Sequence, residues 1–570
     1  VIFRLIRSQS IILFWNSDPR FVLRHIFGIA WYRLSVASWI VGLASIGLAS
    51  DPQNRGTPRD CRLMINWDQF NMTALPLTYV HLDADPEPEK VKALIEEIVD
   101  EHAKAKIDRI VECVFSMSKG TVPPEFKSFY REHIPDNIYK GRPTGYRQLE
   151  NAGYDRIQIA LDRAHQQGME YLGGLRMNDR HQQSSAFHKA HPEWQLPEFP
   201  GGMDYQYRGV RESVLDFAAE FLERFDVDGL ELDWMRWCHV FQPSEAKQNA
   251  PLLTEFVGQC RTLLDNAALK RGRQRLLLGV RVPQTMEECQ TLGFDIAAWV
   301  RSGAVDFVCP SDFFHTDFNI RTEDFVELVQ GTNCRVYPSI HPMISRGNEH
   351  HCHTLESYRA AAHNYYAFGA DGISVYNYQY HWREDMGSVD AWPRALTSLA
   401  SLRDPQEVAA GQRHYLFHSL WPGPATAKLG TCPTGVDKNM QMKLDRQTRV
   451  LTGTLPFRIA EECADANLLV TLKFKASGMA IGDELELSLN GSPISPTQIR
   501  RVFDEDGQTA QEGRVLPPFF VYQIPLSSPP AKFGDNSFSV SLNTNPTAAD
   551  SVVTVQELEV SVTSRRPSSR

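Results

Sequence analysis

Short apolar runs alternate with amphipathic stretches along most of the chain, and eight such runs fall between Cys61 and about Leu402. They are Arg62 to Trp67, Arg109 to Phe115, Glu170 to Arg176, Gly229 to Trp234, Arg275 to Val282, Asp306 to Pro310, Arg335 to Ile340 and Gly372 to Tyr378. The stretches between them read as helices. Glu89 to Lys106 opens with acids and spaces Val91, Leu94, Ile95 and Ile98 along one face, and Tyr154 to Gln167 stops at Gly168. Strand and helix alternating eight times over roughly 340 residues predict a parallel (β/α)8 TIM barrel across 61–402. A doubly wound open sheet is the competing arrangement, but no G-x-G-x-x-G or phosphate-loop motif follows any run.

Beyond a linker at 403–413 the texture changes. Leu468 to Phe474, Glu484 to Leu489, Phe519 to Ile524, Ser537 to Leu542 and Val552 to Val562 read as strands, separated by Gly, Pro, Asn, Asp and Ser. Short strands with frequent turn signals predict an antiparallel β-sandwich over 414–563, with 564–570 a disordered tail. At the other end, Arg4, Arg7, Arg20, Arg24 and Arg33 precede the apolar run Ser35 to Ala49, which leads into a linker at 51–60. This order matches a secretory leader over 1–50 and a secreted or periplasmic protein. A single N-terminal membrane anchor is the alternative, for which a run of about 15 residues falls short of the ~20 a bilayer needs.

A chain of 570 residues, 42% of them apolar, can bury more than one core, and its net charge of −10 argues against a nucleic-acid partner. The ten cysteines stand as singles with no C-x-x-C pair, which disfavours zinc ribbons and redox motifs. Cys113 and Cys309 lie inside apolar runs and read as small buried hydrophobes.

Candidate chemistry concentrates where the strands end: each run leads into polar or aromatic residues, as a barrel with its site at the C-terminal rim requires. The densest cluster is Phe225 to Trp237, F-D-V-D-G-L-E-L-D-W-M-R-W. In a strand, residues two apart share a face, so Leu230 and Leu232 point one way and Glu231 and Asp233 the other. Asp233 is then the outermost inward carboxylate, with Glu231 one layer deeper. They form either an acid/base pair or, for Glu231, part of a buried ion network with Glu112, Arg176 and Arg281.

The string D-G-L-E-L-D-W resembles the fourth-strand motif of several glycoside hydrolase barrels. It is similar to the D-G-x-D-x-D-x-E of chitinase-type and the D-G-x-R-x-D of α-amylase-type enzymes. Closest is the D-G-x-x-x-D-[YW]-x-R-[YW] of a bacterial glycoside-hydrolase-like type, which Asp228, Gly229, Asp233, Trp234, Arg236 and Trp237 all fit. Met235 stands where the chitinase-type acid would be, and Glu231 where the amylase-type arginine would be. The resemblance implies a glycosidase with Asp233 in the nucleophile position.

Glycoside hydrolysis usually needs a second carboxyl across the sugar. Asp312, in V-C-P-S-D-F-F-H, is the first choice, Asp179 the second and Asp68 the third. Sugar recognition calls for aromatic faces, supplied by Trp67, Trp237, Tyr376, Tyr378 and Tyr380, and for planar polar groups, supplied by Arg176, Asn178, Arg236, Arg281, His341 and Asn377. The arginine count points toward an anionic glycan such as a uronic or sulfated one. No cofactor is called for. Glu349, His350, His351, Cys352 and His353 match no zinc spacing and read as a solvated loop. Two other functions compete. A metal-dependent hydrolase or lyase would use His315, His341 and that loop with Asp312, and a non-catalytic glycan-binding protein would fit the absence of an acid at Met235.

Overall fold

The computed structural model describes residues 60–67, 87–116, 149, 151–179, 186–199, 201–313, 315–341, 343–346, 349–377, 394–420, 438–504, 519–543 and 552–564. The leader, Asp68, Arg180, Tyr378, Tyr380, Cys432 and the tail from 565 lie outside the described residues, as do the side chains of 349–352.

A curled parallel sheet of nine strands forms the first region. Its strands are β1 (Leu63–Trp67), β2 (Arg109–Ser116), β3 (Glu170–Arg176), β4 (Gly229–Asp233), β5 (Leu277–Pro283), β6 (Phe307–Ser311), β7 (Arg335–Val336), β8 (Ser339–Ile340) and β11 (Ile373–Val375). The order is β7-β6-β5-β4-β3-β2-β1-β11-β8. Each expected apolar run carries a strand, and the seventh carries two. Only Tyr337 and Pro338 separate the strands at the two ends of the sheet: Tyr337 N–H donates to Val308 O of β6 at 2.9 Å, and Pro338 O accepts from Ser374 N–H of β11 at 3.1 Å.

Helices α1 (Pro88–Lys104), α2 (Arg156–Gln166), α3 (Arg208–Arg224), α4 (Ala246–Lys270), α5 (Met286–Thr291), α6 (Ile296–Arg301), α7 (Thr322–Val329) and α8 (Leu355–Ala367) connect the strands. Helix α2 shows why they begin and end where they do. The Asp155 carboxylate accepts from Ile157 N–H at 2.8 Å and Gln158 N–H at 3.3 Å, and Gly168 turns the chain out with φ 79°. None of the helices described is long and apolar enough to cross a membrane. The sheet carries apolar clusters on both faces, as a covered parallel sheet does. Leu63, Ile65, Leu230, Leu232, Val280 and Val308 join the large core shared with the helices, while Met64, Val111, Leu172, Leu277, Phe307, Cys309 and Tyr337 form a separate inner cluster.

One device recurs at the N-terminal ends of the strands. Asp108, Asp228, Asp306 and Asp371 precede β2, β4, β6 and β11, and they accept a backbone N–H from β1, β3, β5 and β7 respectively. The donors are Leu63 at 3.0 Å, Tyr171 at 2.8 Å, Leu278 at 2.8 Å and Val336 at 2.9 Å. Arginine from the surrounding chain neutralises each one: Arg403, Arg273, Arg275 and Arg335. The D-G pairs follow from this. A Cβ at Gly229 would meet Leu277 O at 2.1 Å, and one at Gly372 would meet Arg62 O at 2.5 Å, so only glycine lets the next strand close in.

The second region is antiparallel. A six-stranded sheet holds β12 (Arg413–Phe417), β13 (Met442–Leu444), β15 (Leu468–Ser477), β18 (Arg500–Asp504), β19 (Phe519–Pro525) and β21 (Val553–Ser564). A four-stranded sheet holds β14 (Thr452–Ile459), β20 (Gly534–Asn543), β16 (Glu484–Leu489) and β17 (Ser492–Pro493) in that order. Rings from the two meet at Phe474 and Phe538, 5.2 Å apart, and at Phe417 and Phe457, 5.5 Å apart. The stretch expected as a linker folds: Asp404 accepts from Gln406 N–H at 2.8 Å and, with Pro405, starts a helix over Pro405–Ala410.

The two regions are bonded together through buried groups. Asn364 of α8 donates to Phe318 O at 3.1 Å and Arg458 O at 2.9 Å, and accepts from Ala460 N–H at 2.8 Å. Arg458 of β14 reaches Glu323 of α7 at 2.5 Å and lies 4.0 Å above the Phe368 ring.

Candidate active site

Strand pairing assembles the site. Asp233, the last residue of β4, lies in register between Arg176 of β3 and Arg281 of β5, and one step deeper Glu231 lies between Gly174 and Gly279. Alternation along β4 thus places both carboxylates on the inner side, as the sequence pattern predicts, and sends Leu230 and Leu232 to the helices.

The two carboxylates have different partners. Glu231 is fully buried and faces Arg281 through two contacts of 3.3 Å, while the Cys309 thiol lies 3.7 Å from Oε2. Burial holds the Glu231 carboxyl above its usual range, and Arg281 works against that rise. Arg281 spends its remaining donors on Ser339 Oγ and, at 2.9 Å, on Ser374 Oγ. Glu231 and Arg281 therefore form an internal ion pair beneath the rim. Asp233, by contrast, accepts from uncharged donors: Tyr376 OH reaches Oδ2 at 2.7 Å and Met235 N–H reaches Oδ1 at 3.0 Å. The Tyr376 ring sits 4.5 Å from the Arg281 guanidinium, so one side chain ties the outer carboxylate to the inner ion pair. Burial pushes the Tyr376 phenol well up, which keeps it a proton donor to Asp233.

Around this centre stand other residues singled out from the sequence. Arg176 donates to Asn377 Oδ1 at 2.9 Å and lies 3.5 Å from Asp179 Oδ2. His341 has its ring 5.1 Å from that of Tyr376 and its Nε2 2.9 Å from Ser311 Oγ, and burial pulls its imidazole down to about 3. Arg236 lies over the Phe313 ring at 5.6 Å, and Trp237 packs on the same ring at 5.0 Å. The backbone at Trp237 has φ 69°, a conformation a bulky side chain adopts only when its surroundings impose it.

Asp312 is buried at the end of β6, where Oδ2 accepts from Lys438 Nζ at 2.9 Å and Oδ1 from His315 N–H at 3.3 Å. Lys438 also lies 3.4 Å from Glu288 and belongs to the antiparallel region. Nothing in the sequence pattern marks it, because the contact joins positions |i−j| = 126 apart. An ammonium at this distance favours the ionised carboxyl, the form of a base or charge stabiliser rather than a proton donor. The expectation of Asp312 as acid/base is narrowed accordingly.

Several expectations are corrected by where side chains point. Trp67 does not face the inner side: it is buried with Leu63 and Ile65, and its indole N–H donates to His102 Nε2 of α1 at 3.3 Å. The parity of β1 carries this signal, since Met64 and Asn66 alternate with those three. Glu112 is likewise absent from the inner network; it bonds Arg156 and Tyr171 OH toward the helices. The Asn178 amide is spent on backbone, donating to His239 O at 2.6 Å and Met203 O at 3.1 Å and accepting from Met203 N–H at 2.8 Å. Arg281, fully buried, is an internal group rather than a sugar contact. The loop read as solvated contains a hairpin, β9 (Met343–Arg346) with β10 (Glu349–Cys352), and His353 beyond it is buried, bonded to Thr316 at 2.8 Å and Ser357 at 2.9 Å. Cys113 and Cys309 are buried, as their place inside apolar runs predicts.

No family model matches the sequence, and no curated protein matches it. Solved structures do resemble its fold. A cycloisomaltooligosaccharide glucanotransferase from Paenibacillus sp. shares 12% identity at TM-score 0.34, with 89% of this chain covered and 58% of that one. The second catalytic domain of the Group II chitinase of Ostrinia furnacalis shares 10% identity at TM-score 0.36, over 60% and 97% of the two chains. The glycoside hydrolase domain of PgaB (BpsB) from Bordetella bronchiseptica shares 11% at 0.37, over 60% and 98%. The chain thus spans 58% of the length of the first of these. Likeness at this level decides neither fold nor chemistry.

Proposed function

We propose that this chain is a secreted glycosidase that hydrolyses a poly- or oligosaccharide, with a closed (β/α)8 barrel, a β-sandwich packed on it, and Asp233 as the attacking carboxylate. Closure is supported by β7 and β8, two residues apart in the chain at opposite ends of the sheet order, and by the aspartate clamp that recurs at every second strand of eight.

The observation that carries the catalytic reading is the contrast in partners. Of the four carboxylates selected from the sequence, Glu231, Asp179 and Asp312 each face a cation, whereas Asp233 is oriented by Tyr376 and a backbone N–H. A buried, oriented carboxylate at a strand end is what attack on an anomeric carbon requires. Asp312, held as an anion by Lys438, is the second carboxyl, suited to draw the proton from water. As the glycosidic bond to the anomeric carbon breaks, the leaving oxygen takes its proton from solvent water, and the proton Asp312 later draws from the attacking water returns to solvent. Arg176 and Arg281 are engaged within the protein, so the arginine count no longer favours an anionic glycan over a neutral one.

The test is release of reducing ends from neutral, uronic and sulfated glycans by the full chain and by Asp233→Asn. Cleavage of one class by wild type alone supports the reading, and equal cleavage by the variant removes Asp233. The second reading, a glycan-binding protein without turnover, is favoured by Met235 in the acid position and by the three ion-paired carboxylates; binding without cleavage by wild type would select it.

A further inference from the structure

The antiparallel region reaches into the rim through one residue. Leu420 N–H donates to Lys438 O at 3.2 Å, and Met440 N–H donates to Ser419 Oγ at 2.8 Å, so the segments on either side of 421–437 run alongside each other. They carry the Lys438 ammonium to the C-terminal end of the parallel strands. There it is 2.9 Å from Asp312 Oδ2 and 3.4 Å from Glu288 Oε1, with its side chain 9% exposed and both carboxylates essentially covered. Burying an ammonium is costly unless carboxylates compensate it, as Asp312 and Glu288 do here. The residue it holds adjoins the proposed centre: Ser311, next to Asp312, lies 2.9 Å from His341, whose ring packs on Tyr376, the partner of Asp233.

We propose that Lys438 is a positioning residue of the rim, fixing Asp312 as an anion in place for the reaction, so that the antiparallel region completes the active site instead of serving as a detachable sugar-binding module. This rests on the glycosidase reading. Structural ties elsewhere between the regions, such as Arg458 to Glu323, hold the two together without touching the rim. Loss of Lys438 therefore has a consequence that loss of Arg458 lacks.

The experiment compares Lys438→Met, Lys438→Arg, Arg458→Met and wild type, all full length, in turnover of a glycan that wild type cleaves and in thermal unfolding near pH 7. Misplacing a reacting group costs on the order of 10- to 100-fold. Lys438→Met is expected to lose that much in kcat with KM within about twofold. Lys438→Arg should recover most of it, and Arg458→Met should melt earlier while keeping its kcat. If kcat in Lys438→Met stays at the wild-type value, or if both Met variants lose kcat in step with their melting temperatures, Lys438 is only a tie between regions and the proposal falls. Failure of the glycosidase reading is distinguishable, since wild type itself would then cleave nothing. In that case the Lys438→Met/Asp312→Asn double-mutant cycle in melting decides whether Lys438 fixes Asp312, and additive effects would overturn it.

Discussion

Asp233 ends β4 and Asp312 directly follows β6 of the same parallel sheet, and both are buried at its C-terminal edge, yet they are held in opposite ways. Asp233 takes its hydrogen bonds from a phenol and a backbone N–H supplied by the parallel sheet and its loops. Asp312 is neutralised by an ammonium delivered from the antiparallel region. The difference shows that strand-end position alone does not fix a role. A carboxylate oriented by neutral donors and one fixed by a buried ion pair can both stand at a rim, but they depend on different parts of the chain for their position.

The sharpest contrast is expected in stability. Asp312→Asn removes one carboxylate from the buried Lys438 and should cost about 3–5 kcal/mol, whereas Asp233→Asn alters hydrogen bonds to a phenol and a backbone N–H and should cost about 1–3 kcal/mol; urea unfolding of both variants checks the order. Glu231→Gln strands the fully buried Arg281 guanidinium and belongs with the larger class, about 3–5 kcal/mol, read in the same unfolding series. Tyr376→Phe removes one hydrogen bond from Asp233 and should lower kcat roughly tenfold with little change in melting temperature.

A pH effect follows from three buried imidazoles. Burial pulls His102, His341 and His353 down to about 3, below the ~6.5 of an unfolded histidine. Each is neutral when folded, so its contribution is fully present above about pH 6.5 and is lost as pH falls toward 3, because the unfolded chain then binds protons the folded one refuses. Melting temperature should fall across that window, and replacing His102 by Asn should flatten the slope. The smallest expected effect is at Trp67: Trp67→Phe should leave KM for any cleaved glycan within about twofold, because the indole contacts α1 and not the inner side.

Much of this architecture can be read from local pattern. The apolar runs lie within one or two residues of the strands β1 to β6, and Glu170 to Arg176 coincides with β3. Local pattern succeeds there because a parallel strand buried on both faces must be a continuous apolar run between turn signals. It fails where a residue's meaning is set by distant chain. In Asp228-Gly229 the sequence reads as part of a catalytic string, yet Asp228 clamps β3 and Gly229 admits β5. β14 contains Pro456 and escapes notice as a strand; it is tolerated because β14 is the edge of its sheet. Lys438 gives no signal at all, since its role depends on how two separately patterned regions meet.

The most direct test of Asp233 is chemical rescue. Asp233→Gly removes the carboxylate and leaves room for a small anion, and turnover of a glycan cleaved by wild type is measured with and without added formate. The account predicts loss of turnover on the order of 10⁴-fold, partly restored by formate. Turnover by Asp233→Gly at the wild-type rate without formate would contradict it.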